Sequence, residues 1–479
     1  MIADQARRYG DRPYLEDART ERAVSYRQLA DAVAAWRPAI LDGDRVLLDI
    51  DDPLRFAATH LSVLAAGARS VPIDPDAPAA DVARTVRATQ VATVISDRSE
   101  RWADGRLTVH SAEPPSPAPA TPVGRGPGAV LMQTSGSTGD PKLIELGEDR
   151  LLHVGSAVAR QLRLTEADRG FNPLPLFHIN GQVVGLLATL IAGGTLVLDR
   201  RFRRTGFWAL LAEREISWVN AVPAILTILS RDRLPEPWPA LRLIRSASAP
   251  LPVPVGTAIA AALAVPIIES YGMTEAASQI TSTALDEPVP AGSVGRPVGA
   301  ELQVRGEDGE PAPVGTTGTV WIRGAGIVTS YADGRGGEKF DAAGWLDSGD
   351  LGRLDEEGNL FLAGRADDVI NRGGELVYPR EIEEILLADP RVSEAVVVAA
   401  PHDVLGQVPV AQLVHVPELT EAEVAGLVTD LEQRCAEELS RFKRPVSFAV
   451  VDSFPRASVG KIRRHLVRSA VSDPSAAAP

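Results

Sequence analysis

The segment "LMQTSGSTGDPKLIEL" (Leu131–Leu146) places a polar stretch between two apolar runs that are typical of β-strands. A hairpin needs only about two turn residues, and the polar stretch Thr134–Lys142 is far longer. Its glycines let backbone N–H groups converge, and its Ser and Thr hydroxyls add hydrogen-bond donors. The segment therefore predicts a phosphate-binding loop between two strands, with a flexible surface turn as the alternative.

This loop does not have the GxxxxGK[ST] spacing of a Walker loop. Counted from Gly136, Pro141 stands where that pattern needs its second glycine. Leu143 stands where the pattern needs a metal-binding hydroxyl. A Walker-type nucleotide site is therefore excluded.

The composition of the 479-residue chain is that of a globular protein, with 45% hydrophobic and 23% charged residues. The length predicts at least two domains. A net charge of −14, from 49 basic and 63 acidic residues, argues against nucleic acid as a general partner. The absence of an apolar run of about 18 residues predicts no membrane span, and the N-terminus lacks the apolar core of a signal peptide.

A single cysteine, Cys435, excludes an internal disulfide and a cysteine-rich metal cluster. The seven histidines show no paired spacing that would predict a transition-metal site. Together with the missing signal peptide, the cysteine content predicts a cytoplasmic protein.

Short β-rich runs alternate with helix-length segments over the first 270 residues. The predicted strands are Val46–Ile50, Val91–Ile95, Thr195–Leu198, Trp218–Asn220, Leu241–Arg245 and Pro266–Glu269. The predicted helices are Leu54–Ala66, Ala79–Ala88, Phe207–Glu215, Ala224–Arg231 and Val253–Leu263. This alternation indicates βαβ units, and hence an α/β fold with a largely parallel sheet covered by helices.

The pattern changes in the last third of the chain. Runs separated by Gly-rich turns predict a small β-rich subdomain over Pro297–Leu362. The remainder predicts a compact α+β region with helices at Arg380–Leu387 and Thr420–Glu438 and strands at Glu394–Ala399 and Val410–Val416.

Four further motifs accompany the loop, in a fixed order. They are "ESYGMTEA" (Glu269–Ala276), "WLDSGDLGRLDEEGNLFLAGR" (Trp345–Arg365), "ADDVINRGGELVYP" (Ala366–Pro379) and "FPRASVGKIRR" (Phe454–Arg464). Together the five resemble the adenylate-forming superfamily, which contains acyl- and aryl-CoA synthetases, adenylation domains of nonribosomal peptide synthetases, and firefly luciferase. The resemblance runs from Val24 to Lys461, and its pattern is most similar to stand-alone acyl- or aryl-CoA ligases.

The resemblance implies two domains of the α/β class. Residues 1–366 would form a large AMP-binding domain of layered α/β subdomains plus the small β-rich subdomain. Residues 367–479 would form a small mobile α+β domain that carries the catalytic lysine. Asp367 matches the hinge, and Gly373 and Gly374 would line a tunnel for the thiol of coenzyme A after rotation.

The resemblance also assigns ATP and Mg²⁺ to individual residues. Thr274 would contact the α-phosphate, Glu275 would hold Mg²⁺, Asp350 would accept hydrogen bonds from the ribose hydroxyls, and Arg365 would donate to the ribose or phosphate. The loop residues that would bind the β- and γ-phosphates are Thr134, Ser135, Gly136, Ser137, Thr138, Gly139 and Lys142. The residues around the adenine would be Ser248, Ala249, Pro250, Ser270, Tyr271 and Gly272.

Lys461 is the catalytic residue that the resemblance implies for the first reaction. In relatives this lysine bridges the carboxylate and the α-phosphate, where a fixed cation stabilises the charge that develops as pyrophosphate leaves. One position departs from the family pattern. Val459 stands where a small hydroxyl residue is usual, which affects details of the loop.

His178 in "LPLFHINGQ" matches the residue that gates the acid pocket of acyl- and aryl-CoA ligases. Amino-acid-activating relatives carry an aspartate beside Phe177, and its absence argues against an ordinary α-amino acid. The predicted pocket wall consists of Gln182, Trp218, Asn220, Ala221, Val222, Ala247, Ser248 and Ala277. Because Ala247 and Ser248 replace a glycine pair of many relatives, we expect a small or planar acid.

The predicted reaction joins a carboxylic acid and MgATP to give acyl-AMP and pyrophosphate, after which a thiol, most simply coenzyme A, displaces AMP. A separate carrier protein, an amine or a nucleophile such as nitrite remains open as the acceptor. Only 18 residues follow Lys461, so we expect no fused carrier domain. A non-catalytic accessory subunit is disfavoured, because it should have lost Lys461, Glu275 or Asp350.

Overall fold

The computed structural model describes residues 1–102, 107–115, 126–133, 142–417, 419–456 and 462–472. The predicted phosphate-loop residues from Thr134 to Gly139, and Lys461, lie outside these described residues. Lys142, the last residue of the predicted loop, is described.

Helices and strands alternate through the first half of the chain. The helices are α1 (Ile2–Tyr9), α2 (Tyr26–Trp36), α3 (Pro53–Ala65), α4 (Ala79–Thr89), α5 (Glu148–Gln161), α6 (Ala188–Ala192), α7 (Phe207–Glu213), α8 (Pro223–Leu229), α9 (Val253–Leu263), α10 (Pro379–Leu387), α11 (Glu421–Glu438) and α12 (Arg464–Ser472). The strands are β1 (Pro13–Asp17), β2 (Ala23–Ser25), β3 (Arg45–Asp49), β4 (Arg69–Pro72), β5 (Thr93–Ser96), β6 (Thr108–Ser111), β7 (Ala129–Gln133), β8 (Leu143–Gly147), β9 (Arg169–Asn172), β10 (Thr195–Leu198), β11 (Trp218–Ala221), β12 (Leu243–Ala247), β13 (Ile267–Tyr271), β14 (Thr281–Ser282), β15 (Arg296–Pro297), β16 (Glu301–Arg305), β17 (Gly318–Arg323), β18 (Leu346–Leu354), β19 (Leu360–Arg365), β20 (Ile370–Arg372), β21 (Glu375–Val377), β22 (Val392–His402), β23 (Gly406–His415) and β24 (Phe448–Val450).

The strands of the first 300 residues form two large sheets. One has the strand order β15-β14-β13-β12-β11-β9-β10-β1-β2, and its six strands from β13 to β1 are parallel. The other has the order β6-β5-β3-β4-β7-β8, and only β8 is antiparallel. Strands such as β10 are buried along their whole length, as expected where helices cover both faces of a parallel sheet.

Local sequence signals fix several helix starts. Ser25 and Gln28 form a capping box at α2, and Thr420 and Glu423 form one at α11. Asp52 caps α3 by accepting hydrogen bonds from the backbone N–H groups of Leu54 and Arg55. These caps satisfy backbone donors that the first turn of a helix leaves unpaired.

The last part of the chain forms two smaller sheets. The antiparallel sheet β16-β17-β18-β19 ends at Arg365, a short 3₁₀ turn covers Ala366–Asp368, and the next sheet begins at Ile370. That sheet has the order β21-β20-β23-β22, with β24 added to β23. The predicted fold class, layered α/β with a β-rich subdomain and a small α+β C-terminal part, is confirmed. No described helix has the length and apolar content needed to span a membrane.

Candidate active site

The carboxyl ends of four parallel strands meet at one edge of the larger sheet. β9 ends at Asn172, β11 at Ala221, β12 at Ala247 and β13 at Tyr271. Ligands of open α/β sheets bind outside the carboxyl ends of the strands. The predicted site residues Asn220, Ser248 and Glu275 lie at or just beyond these ends, which makes this edge the candidate active site.

A tyrosine and an arginine hold the Asp350 carboxylate from both sides. The Tyr271 hydroxyl donates to Asp350 Oδ2 at 2.5 Å, and Arg365 Nη1 donates to Oδ1 at 3.0 Å. Strand pairing explains this, because Asp350 on β18 lies opposite Arg365 on β19. Three residues predicted to contact the nucleoside are therefore brought together, although they lie far apart in sequence.

Both neighbours of Asp350 keep their protons at neutral pH. Burial, reinforced by the Asp350 carboxylate, raises the pKa of Tyr271 well above its ordinary range. Burial alone would lower the pKa of Arg365, but the attraction of Asp350 outweighs it and raises that pKa. The site therefore presents one carboxylate fixed by two donors.

A second group surrounds Glu275, which lies in the 3₁₀ turn Thr274–Ala276 and is only 7% exposed. The Tyr331 hydroxyl donates to Glu275 Oε1 at 3.2 Å. Lys142 Nζ lies 4.6 Å from the centroid of the Tyr331 ring, a cation–π contact. A buried carboxylate and the last residue of the predicted phosphate loop, Lys142, thus both contact Tyr331.

This group fits a magnesium ion that is shared with a nucleotide. Magnesium takes one or two protein carboxylates and completes an octahedral shell with phosphate oxygens and water. Glu275 offers one carboxylate, and Lys142 adds a cation for phosphate. Within the described ranges, no three acidic, histidine or cysteine side chains cluster as an all-protein metal cage would require.

Tyr331 is a site residue that the sequence analysis missed. It lies in "GIVTSYADG", and the loop around it holds the start of β8: Asp333 Oδ2 accepts from Leu143 N at 3.0 Å. Burial, with Glu275 adding to it, raises the pKa of Tyr331, so its hydroxyl stays a donor. The available signal was an aromatic residue among turn-forming residues, which by itself does not identify a site.

Backbone strain concentrates at this edge of the sheet. Ser248, Ala277 and Ser278 have φ values of 80°, 46° and 96°, in the left-handed region that favours glycine. Gly272 is required by close packing, since a Cβ there would lie 1.6 Å from the carbonyl oxygen of Ser278. Strained non-glycine residues cluster at functional sites, and Ser248 and Ala277 are both predicted pocket residues.

His178, the predicted gate of the acid pocket, lies three residues before the π-helix Gly181–Leu187. Its ring contacts Phe177, with ring centroids 4.5 Å apart. Burial lowers the pKa of His178 to about 4, so the imidazole is neutral at pH 7. It can hydrogen-bond a carboxylate or its ester but offers no cation.

The amides of Asn172, Asn180 and Asn220 form a connected cluster in the pocket region. Asn220 Nδ2 donates to Asn172 Oδ1 and to Asn180 Oδ1, both at 2.9 Å. Asn180 Nδ2 lies 3.5 Å from Ser248 Oγ, which is exposed. Gln182 donates to Leu176 O at 2.9 Å, and its buried Oε1 has no hydrogen-bond partner among the described residues. Polar groups thus lead from the surface into the interior.

Three predicted wall residues lie in the core. Trp218 is fully buried at the start of β11 and packs against Gly170, where a Cβ would come within 2.5 Å of the indole. Ala221 and Val222 belong to the apolar core that contains Ile225. These three side chains are therefore buried in apolar surroundings, and their place in the pocket wall stays a prediction.

The predicted hinge and tunnel residues lie around the start of the C-terminal sheet. Asp367 is in the 3₁₀ turn after β19, and Arg468 on α12 donates to its backbone oxygen at 3.2 Å and to Asp368 at 2.8 Å. Gly373 and Gly374, with φ values of 63° and 97°, form the two-residue turn between β20 and β21. The backbone conformation of a tight hairpin turn favours glycine by itself. These two glycines therefore do not by themselves indicate a ligand site.

Two family models match the chain. One, described as AMP-binding enzyme, matches residues 2–332. The other, described as AMP-binding enzyme C-terminal domain, matches residues 381–461. The first match alone covers more than half of the 479 residues.

Individual proteins give a consistent result. Sulfoacetate–CoA ligase of Cupriavidus necator is 39% identical over 353 residues, which are 73% of this chain and 67% of that protein. Oxalate–CoA ligase of Arabidopsis thaliana is 31% identical over an alignment of 486 positions, gaps included, that covers 93% of this chain and 91% of that protein. The structure of o-succinylbenzoate coenzyme A synthetase from Bacillus subtilis in complex with ATP and a magnesium ion superposes with a TM-score of 0.83 and 26% identity, over 98% of this chain and 99% of that one.

Proposed function

The chain belongs to the AMP-binding enzyme family and is a ligase, and on this premise we propose that it joins a small carboxylic acid to coenzyme A through an acyl-adenylate. In the first step a carboxylate oxygen attacks the α-phosphorus of ATP and pyrophosphate leaves. In the second step the thiol sulfur attacks the acyl carbon and AMP leaves, while the thiol proton passes to solvent.

One observation carries the nucleotide part of this proposal: Tyr271 and Arg365 fix the Asp350 carboxylate at the carboxyl edge of the sheet. A ribose presents two hydroxyl donors side by side, and a carboxylate has enough acceptor sites for both. The Tyr271 ring is largely buried beside the carboxylate, and in this proposal it would support the adenine.

The group around Glu275 would hold the phosphate end of the nucleotide. Magnesium bound there would neutralise phosphate charge and orient the leaving pyrophosphate. Lys142 would contribute a fixed cation, and the loop from Thr134 to Gly139 would supply backbone donors. Thr274, in the same turn as Glu275, would contact the α-phosphate.

The acid end of the site supports a small, non-amino acid. His178 is neutral and Phe177 is followed by no carboxylate, so nothing at this position pairs with an ammonium group. The side chain of Ser248 at a left-handed position narrows the region that glycine would leave open. Sulfoacetate, oxalate and o-succinylbenzoate, named for the related proteins, each carry a second acidic group.

Lys461 would act in the first step, and the Gly373–Gly374 turn would act in the second. The C-terminal residues would therefore rotate about Asp367 between the two steps. The contacts of Arg468 with Asp367 and Asp368 link this hinge to α12, which begins three residues after Lys461. Rotation that moves α12 would therefore carry the lysine with it.

The test is acid-dependent pyrophosphate release from ATP over aryl, short-chain and medium-chain acids, each with and without coenzyme A. We expect release that needs one class of acid, and a CoA thioester by mass spectrometry. Release without a thioester would move the acceptor to a carrier protein, an amine or another nucleophile. Robust turnover of palmitate would contradict the small-acid proposal.

A further inference from the structure

One buried cation at the site is not used by the reaction described above. Arg245 lies in the middle of β12 and is 0% exposed. Burial lowers the pKa of Arg245 to about 9, so the side chain is still predominantly a cation at neutral pH. A charge removed from water needs a compensating partner.

The partners of Arg245 in the structure are neutral amides. Its Nη1 donates to Asn220 Oδ1 and its Nη2 donates to Gln279 Oε1, both at 3.2 Å. In the described parts of the chain, no carboxylate oxygen lies within 4.0 Å of its guanidinium nitrogens, and burial is the only cause of its pKa shift. By contrast Arg242, three residues earlier, pairs with Asp168 at 2.7 Å.

Buried polar atoms without partners occur at this cation and in the predicted acid pocket. Within the described part of the chain, Arg245 Nε, Gln279 Nε2 and Gln182 Oε1 are buried and make no hydrogen bond. Native interiors leave few such atoms, and each one calls for an explanation. Two donors among them, on Arg245 and Gln279, can both be satisfied by an anionic oxygen.

Asn220 connects Arg245 to the acid pocket. The same amide that accepts from Arg245 donates to Asn180, which lies two residues from His178 and beside Ser248. The cation therefore lies directly behind the polar path that leads in from the surface. The reacting carboxylate must remain near His178 and the α-phosphate, so Arg245 is left for a different group.

We propose that Arg245, with Asn220 and Gln279, selects substrates that carry a second anionic group, a carboxylate or a sulfonate, held at the inner end of the acid pocket. This inference rests on the proposed function, because it assigns the far end of the same substrate. The unpaired cation would receive its counter-ion from the acid, and acids without that group would leave it uncompensated.

The experiment compares matched acids in acid-dependent pyrophosphate release: succinate, its monomethyl ester and butyrate, with sulfoacetate and propionate as a second series. We expect wild type to favour the dianions by about 10- to 100-fold in kcat/KM, as expected when a buried site loses its charged partner. Arg245→Met should reduce that ratio at least tenfold, and Arg245→Lys should reduce it less. Arg242→Met, at the arginine just before the same strand, should leave the ratio unchanged.

A wild-type enzyme that uses the ester or butyrate as well as succinate would overturn the inference, and so would an Arg245→Met variant that keeps the dianion preference. If Arg245→Met does not fold, the wild-type comparison decides alone. Pyrophosphate release without a CoA thioester would refute coenzyme A as the acceptor. The preference for dianions, measured as the ratio of kcat/KM values, would still support the role of Arg245. If no acid supports release, unfolding-temperature shifts with the same acids decide: stabilisation by dianions alone supports the site, and equal or absent shifts overturn it.

Discussion

Replacing Asp350 with asparagine changes the charge at the centre of the proposed nucleoside site while keeping its shape. An asparagine can still accept from Tyr271, but its N–H₂ group would then face the donors of Arg365. Arg365 Nη1 would lose the acceptor that lies 3.0 Å away. The ribose hydroxyls would meet one acceptor oxygen in place of two.

The size of the effect follows from the charged hydrogen bonds that are lost. A hydrogen bond to a charged group contributes about 1.5–3 kcal/mol, and about 1.4 kcal/mol corresponds to a tenfold change in an equilibrium constant. We therefore expect KM for ATP to rise about 10- to 150-fold. The Arg365 side chain is 39% exposed, so solvent screening should keep the loss of folding stability below about 1 kcal/mol.

The assay is pyrophosphate release at saturating acid, with the unfolding temperature measured alongside. Glu357→Gln, an exposed carboxylate in the turn between β18 and β19, is the matched control and should change neither value. KM for the acid should change little in Asp350→Asn. A folded variant whose KM for ATP stays within about twofold of wild type would refute the assignment of Asp350 to the ribose.

Glu275→Gln should raise the magnesium concentration for half-maximal rate about 10- to 100-fold, and Tyr331→Phe should raise it less. Equal magnesium titrations of wild type and both variants would contradict the site around Glu275. Ser248→Gly should relieve a left-handed backbone strain of about 1 kcal/mol and extend turnover to bulkier acids, and an unchanged acid panel would count against a narrow pocket. Burial lowers the pKa of His60 from 6.5 to about 3, so its contribution to stability is complete above pH 6.5 and is lost as pH falls through 3. The unfolding free energy of wild type should drop by up to about 1.4 kcal/mol per pH unit in this window, and a His60→Asn variant with the same slope would contradict this origin.

Elements with strong local patterns were predictable from the sequence. β10 and α9 have the bounds predicted for Thr195–Leu198 and Val253–Leu263. A β-branched threonine followed by three apolar residues favours a buried strand, and an apolar segment entered through Pro252 favours a helix start. The ordered motifs were equally informative, since they placed Tyr271, Asp350 and Arg365 in one site.

Features that depend on distant partners were not predictable. The strand predicted at Leu241–Arg245 runs over Leu243–Ala247, so Arg245 is its buried centre. A charged residue at the end of an apolar run indicates a solvent-facing strand end, and the sequence does not show that Asn220 and Gln279 surround it. Tyr331 was missed for the same reason, because its contact with Glu275 spans 56 residues.

The central claim is that the acid is activated as an adenylate, and transfer of ¹⁸O tests it most directly. The preferred acid, labelled with ¹⁸O in its carboxylate, is incubated with ATP, magnesium and coenzyme A, and the nucleotide and phosphate products are analysed by mass spectrometry. Attack on the α-phosphorus predicts one ¹⁸O atom in AMP, unlabelled pyrophosphate, and loss of both products in Lys461→Ala. Label in inorganic phosphate with ADP as the nucleotide product would show an acyl-phosphate route and contradict the account.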